Sequence, residues 1–186
     1  MEELRVEELA GVTGGELEAR KIREFLVAVH DCYWPDAEYE FDVEAYPAKL
    51  ASYAEGFVEA DLNGGLCAVV LGYVNDMETK ISYISYIARL PSAVARGADL
   101  HRAFENLARE RGMCAIRLEV LKENVRARAF YNRLGYRQVE DRGKCLLLEK
   151  AIESEGSDGV GEFVSGGVKE WVSWGVEELK SDKCRV

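Results

Sequence analysis

Between residues 57 and 152 the apolar residues shift repeatedly between strand-like and helix-like spacing, and glycine or proline stands at most of the shifts. No feature constrains the fold more, because residues two apart line one face of a strand while residues three and four apart line one face of a helix. Phe57–Asp61 and Leu66–Tyr73 read as strands joined through Leu62-Asn63-Gly64-Gly65, a hairpin signal. Asn75-Asp76-Met77-Glu78 is a further turn, and Ile81–Leu90 is a third strand, ended by Pro91. Leu100, Ala103, Phe104, Leu107 and Ala108 recur at helical spacing up to Arg111 and Gly112, a basic last turn followed by a glycine cap. Ala115–Val120 returns to strand spacing, with Ile116, Leu118 and Val120 on one face. Asn124 caps a helix in which Ala127, Phe130, Tyr131 and Leu134 share a face, and Gly135 stops it. Tyr136–Glu140 and Lys144–Ile152 close as two strands around Asp141-Arg142-Gly143.

Upstream, Ile22, Phe25, Leu26, Val29 and Tyr33 predict a helix over Lys21–Tyr33 that Pro35 stops. Val43–Tyr53 is a looser helix, with Pro47 near its first turn and Leu50, Tyr53 and Ala54 on one face. The order is ααβββαβαββ. It predicts an α/β protein whose central sheet is mixed, mostly antiparallel, and covered by helices on both faces.

Residues 1–152 form the expected domain. Residues 153–162 are a Gly/Ser/acid linker without a core-forming pattern. In the tail, residues 163–186, Val164, Val168, Trp171, Val172, Val176 and Leu179 make an amphipathic stripe expected to dock on its own domain or on a second copy in a homodimer. Apolar residues make up 48% of the 186-residue chain, enough for a core. No apolar run approaches the roughly 20 residues of a membrane helix, and the acidic start lacks the order of a signal peptide, so a cytoplasmic protein without membrane contact is expected. The net charge of −10 argues against nucleic acid and suits an amine substrate. Two histidines and five cysteines stand at no zinc-binding spacing, and no metal is expected.

The most specific stretch runs from Leu118-Glu119-Val120 through Asn124, Ala127 and Tyr131 to Gly135-Tyr136. It resembles the signature L-x-V-x-x-x-N-x-x-A-x-x-x-Y-x-x-x-G-F of the GNAT superfamily of acyl-CoA-dependent N-acetyltransferases, with Tyr136 in place of the Phe. The resemblance covers roughly residues 41–150. It implies a GNAT-like fold in which the strand carrying Ile87 and the strand Ala115–Val120 splay apart to admit the pantetheine of acetyl-CoA, the co-substrate. It implies that Ile87, Ala88 and Arg89 pair their main chain with that arm and that Asn124 lies near it or near the acceptor. Tyr131 would be the general acid, as a phenol of ordinary pKa near 10 suits protonation of a departing thiolate. The residues alone leave two other readings open: Tyr131 as a core aromatic, and Asn124 as a helix cap.

The family's pyrophosphate loop, Arg/Gln-x-x-Gly-x-Gly/Ala, corresponds to Arg96-Gly97-Ala98-Asp99-Leu100-His101, with Asp99 and His101 at the glycine positions and two extra residues between Pro91 and Arg96. An Asp in the first turn satisfies the amides and helix dipole that a phosphate would use, and repels the phosphate. Arg96, Arg102 and a protonated His101 are expected to offset that repulsion, while a self-capped helix without a ligand is the competing reading. Glu38, Glu40, Asp42, Glu44 and Glu119 are candidate bases for the attacking ammonium, with none assigned. The resemblance thus implies an N-acetyltransferase acting on a small amine, an aminosugar or a protein amine. The alternative is a GNAT-like binding or interaction module that no longer catalyses.

Overall fold

The computed structural model describes residues 9–33 and 41–152. Seven strands lie in one sheet: β1 (Ala10–Val12), β2 (Glu55–Ala60), β3 (Leu66–Tyr73), β4 (Ile81–Arg89), β5 (Ala115–Leu121), β6 (Arg137–Arg142) and β7 (Cys145–Ala151). Their spatial order is β1-β2-β3-β4-β5-β7-β6. Every neighbouring pair is antiparallel except β4 and β5, which are parallel. Helices α1 (Ala19–Tyr33) and α2 (Ala45–Tyr53) precede β2, α3 (Gly97–Glu110) joins β4 to β5, and α4 (Val125–Arg133) follows β5. The GNAT-like architecture expected from the sequence is the one observed. Among the described residues, no helix is long and apolar enough to cross a membrane.

Two apolar layers hold the sheet. On one face Ile22, Phe25, Leu26 and Val29 of α1 and Leu50 of α2 pack on Val58, Val69, Leu71 and Tyr86. On the other, Leu100, Phe104 and Ala108 of α3 and Tyr131 of α4 pack on Val70, Ile84, Ile116, Leu118 and Val120. β3 is covered on both sides, which is why Leu66–Leu71 is a continuous apolar run rather than an alternating one.

Several elements differ from the sequence expectation. β1 was not anticipated, since three residues carry no readable period. α2 is regular from Ala45, two residues after the expected Val43, and the turn before it is held by Asp42, whose Oδ1 accepts the amides of Glu44 and Ala45. Tyr53 does not face the core: it is 70% exposed, and Tyr46, Pro47, Leu50 and Ala51 make the buried side. Tyr33, the last residue of α1, is also exposed, and His30 is buried instead. The linker, the tail, Pro35, Glu38 and Glu40 lie outside the described residues.

One irregularity positions the site. β4 and β5 are in register only from Ile81–Ala115 to Tyr83–Arg117, after which β4 continues to Arg89 and β5 to Leu121 without pairing each other. Just past that point β4 carries a bulge. Gly72 opposes Ile84 and Leu71 opposes Tyr86, leaving Ser85 as the extra residue. The bulge needs Gly72: a Cβ there would lie 2.2 Å from the Tyr83 carbonyl oxygen and 2.7 Å from the Phe104 ring. Glycine thus lets the α3 aromatic seat directly on the strand.

Candidate active site

Where β5 leaves β4, main-chain groups of β4 lose their strand partners, and the Ser85 carbonyl accepts the Tyr46 hydroxyl at 3.0 Å instead. The Leu90 amide bonds to the Cys67 carbonyl at 2.8 Å, and Ala88 is in register with Val69. By the alternation of an antiparallel ladder, Leu90 and Ala88 point their groups at β3, while Ile87 and Arg89 point theirs into the gap. Of the three residues expected to meet a pantetheine arm, Ala88 is therefore directed away. The Arg89 carbonyl accepts the Tyr33 hydroxyl at 3.0 Å, a contact between residues 56 apart that no local pattern signals.

Across the gap, α4 is held at both ends. Asn124 Oδ1 accepts the Ala127 amide at 3.0 Å, so Asn124 occupies the cap position. At the other end the Gly135 amide bonds to the Asn132 carbonyl and the Tyr136 amide to the Tyr131 carbonyl, with Gly135 at φ 90°. This is a Schellman stop, and it brings the apolar residue after the glycine back onto the last turn. The Tyr131 and Tyr136 rings accordingly meet edge to face, 5.4 Å between centroids. Tyr131 is the fully buried side chain of α4, and Phe130 packs against its ring. Its hydroxyl has no hydrogen-bond partner among the described residues. Burial pushes the phenol far above its ordinary range, so it stays protonated.

His101 and Tyr136, each a departure from the resembled pattern, turn out to be partners. Their Nε2 and hydroxyl lie 2.9 Å apart, both buried, from residues 35 apart in sequence. Glu105, one turn on in α3, puts Oε2 3.6 Å from His101 Nδ1 and accepts from Lys150 Nζ at 2.6 Å. The carboxylate favours the imidazole proton on Nδ1, which leaves Tyr136 donating to Nε2. Burial, with Lys150 adding to it, lowers the His101 pKa to about 4. His101 is thus neutral and turned into the core. The positive charge expected from it at the loop is not there.

At the start of α3, Asp99 is engaged locally. Its Oδ2 accepts the Arg96 amide at 3.1 Å and Arg96 Nε at 3.3 Å, and its Oδ1 accepts from Arg102 at 2.8 Å. These bonds, the Arg96 amide first, hold its carboxyl below the usual range. The self-cap foreseen for this helix is formed. Gly97 faces α4, since a Cβ on it would sit 3.4 Å from the Phe130 ring. The amides of Gly97 and Ala98 make no hydrogen bond with the described residues, and Leu100 is buried beneath them.

The candidate bases also sort themselves. Asp42 holds the turn before α2 by accepting the Glu44 and Ala45 amides, and Glu44 pairs with Arg23 at 3.0 Å. Glu119 is buried on β5, on the opposite face to Leu118 and Val120, two residues beyond the last pair with β4. Arg142 of β6 binds its Oε1 and also holds Glu140. Burial, with the Glu119 carboxylate adding to it, holds the nearby Tyr83 phenol well above its ordinary value. Sequence reasoning missed Glu59, a buried carboxylate on β2 that binds the loop before α3. Its signal was visible: an acid inside an apolar strand must have a partner.

The chain matches the Acetyltransferase (GNAT) family over residues 26–136. Among solved structures it is similar to the ribosomal-protein-S18-alanine N-acetyltransferase of Escherichia coli, at 14% identity and TM-score 0.60, covering 83% of this chain and 99% of that one. It is also similar to the PaiA N-acetyltransferase of Thermoplasma acidophilum in complex with coenzyme A, at 13% identity and TM-score 0.58, covering 78% and 99%. Ard1 from Thermoplasma volcanium aligns at 20% identity and TM-score 0.56, with the same coverage. No curated protein matches the chain. The likenesses to solved structures establish the fold, and the family match runs from within α1 to the tyrosine after the α4 stop. With more than half of its residues inside that match, this protein belongs to the GNAT family of acetyltransferases.

Proposed function

We propose that the protein transfers an acetyl group from acetyl-CoA directly to a primary amine, with Tyr131 as general acid. The observation that carries this reading is the Tyr131 hydroxyl, fully buried and without a partner among the described residues. An unsatisfied buried hydroxyl costs about 1–3 kcal/mol, and Phe would fill the same space without that penalty. A donor kept dry and unbonded in the core layer that also holds Ile87 is suited to a ligand atom that arrives with the substrate. The pantetheine arm would lie against the Ile87 and Arg89 main chain, bringing the thioester toward Tyr131.

The chemistry then follows from charge. The amine nitrogen attacks the thioester carbonyl, the carbon–sulfur bond breaks, and the Tyr131 proton goes to the departing sulfur. A dry site penalises a phenolate as it penalises a thiolate, so the proton that the acylated nitrogen sheds must return to Tyr131, leaving a neutral amide, thiol and phenol. The attacking ammonium must first lose a proton. Glu119, buried on β5 two residues past the last pair with β4 and bound by Arg142, is suited to take that proton. The acceptor is a small amine, an aminosugar or a protein amine.

Asp99 tunes the other end of the donor site. Replacing Asp99 with Gly removes a like charge from the α3 start and releases Arg96 and Arg102 to the phosphates. Acetyl-CoA binding should tighten about fivefold at low ionic strength, and the gain should shrink as salt rises. Calorimetry on both proteins at two salt concentrations reads this. Equal or weaker binding by the variant would show that Asp99 does not face the phosphates.

A second reading is a GNAT-fold module that binds without catalysing. It is favoured by the internal commitment of loop amides to carboxylates at Glu59 and Asp99. Thermal-shift titration separates the two. Saturable stabilisation by acetyl-CoA supports the enzyme, and no shift at millimolar ligand supports the module.

A further inference from the structure

The loop from Leu90 to Arg96 is tied down from beneath by two side chains of the sheet. Glu59 accepts the Val94 amide at 2.8 Å through Oε1 and the Ala95 amide at 2.6 Å through Oε2. Its position on β2 puts it on the same face as Phe57, the side covered by α3. Arg89 holds the carbonyl side, donating from Nη2 to Ala93 at 3.2 Å, and the Ala93 amide closes a turn onto the Leu90 carbonyl at 3.1 Å. The next amide, that of Arg96, goes to Asp99. Along the run the amides of Ala93, Val94, Ala95 and Arg96 are thus engaged, and those of Gly97 and Ala98 are the first two left over.

A carboxylate on two consecutive amides is the same chemistry as an oxyanion in a backbone nest. Only 7% of Glu59 is accessible, so its charge depends on those two bonds for stability. β2 itself has no need of an acid there, since an apolar residue would serve the core. The loop does have a need, because it carries two residues more than the resembled pattern, and added chain must be fixed before it can present a definite set of donors.

Resting on the acetyl-CoA reading above, we infer that Glu59 is a positioning residue for the acyl donor: by holding Val94 and Ala95 it fixes the lengthened loop so that the Gly97 and Ala98 amides, opposite α4, are the ones presented to the donor's pyrophosphate. It acts through the loop and touches no reacting atom.

Glu59→Gln tests this in the full chain. Gln keeps the size but sets an NH2 donor against one of the two amides. Binding of acetyl-CoA and of S-acetylpantetheine, which has the arm without the phosphates, is measured by calorimetry on both proteins. Amide hydrogen exchange at Val94 and Ala95 reports whether the loop has loosened. The expected result is faster exchange, acetyl-CoA affinity lower by about tenfold, and S-acetylpantetheine affinity unchanged within twofold. A general loss of structure would weaken both ligands alike, and that outcome overturns the proposal. So does faster exchange with acetyl-CoA affinity unaltered. Wild-type protein that binds neither ligand would overturn the acetyl-CoA reading together with this one, whereas wild-type binding with an indifferent variant overturns this one alone.

Discussion

Changing Tyr131 to Phe should lower the turnover rate constant by about 10²-fold or more while leaving the fold as stable as before, or more stable. The two halves of this expectation have opposite signs, which gives the measurement its power. The ring of Tyr131 packs against Phe130 and Tyr136, and Phe keeps those contacts. The hydroxyl makes no bond that Phe would lose. Removing it therefore relieves an unpaired polar group, a change worth about 1–3 kcal/mol in favour of folding. A core aromatic with no catalytic part would show the stability change without the rate change. Urea denaturation and thiol-release assays on the same preparations report both, and unaltered turnover in the variant would return Tyr131 to a packing role. Acetyl-CoA affinity should hold, as the general acid acts on the leaving sulfur after binding.

Acidification should destabilise the protein through His101. The folded-state pKa, about 4, lies below the ordinary value of 6.5. Between those values the unfolded chain binds a proton at this position and the folded chain does not. Stability is therefore fully present above about pH 6.5, falls as the pH drops through that window, and levels near pH 4. The loss from this one group is on the order of 3 kcal/mol. The charged groups facing the imidazole are Glu105 on its own helix and Lys150 of β7, which bonds to Glu105; Tyr136 supplies the neutral partner. A double variant, His101→Leu with Tyr136→Phe, removes the titration without orphaning the phenol. The difference in unfolding free energy between wild type and this variant, followed from pH 4 to pH 7.5, should shift in that direction. A flat difference would mean that His101 titrates alike in both states.

Much of this arrangement was legible because local chemistry forced it. Asn124 and Gly135 bracket a nine-residue helix with a cap and a left-handed stop, and those two residues alone fix where Tyr131 and Tyr136 must meet. The same holds for Gly112 after α3. What could not be read were relations between distant residues. His101 and Tyr136 each stood out singly, yet no local period joins an imidazole on α3 to a phenol after α4. Glu59 shows in the sequence only as an acid inside an apolar strand; which groups satisfy it does not, because its partners are main-chain amides. Tyr33 and Tyr53 were misjudged for the opposite reason: an aromatic at helical spacing fits a core stripe, but each stands at a helix end where the packed face has already turned away. β1 is recruited by pairing with β2, not by any pattern of its own.

The three-residue seam between β4 and β5 has a consequence for solubility. An open sheet ordinarily has two free edges; here they are β1 and the fully exposed β6. The parting of β4 from β5 after Tyr83 and Arg117 adds two more, facing each other across the middle of the molecule. Free edges are templates for foreign strands, and proteins ordinarily shield them with charge, bulges or a covering element. The Ser85 bulge breaks the first of the inner edges at its root, and the Tyr33 hydroxyl covers its far end at Arg89. Between those two points the Ile87 main chain makes no hydrogen bond with the described residues, so any extended chain that fits there acts as a plug as well as a ligand, and aggregation of the purified protein becomes a gauge of how often the slot is empty.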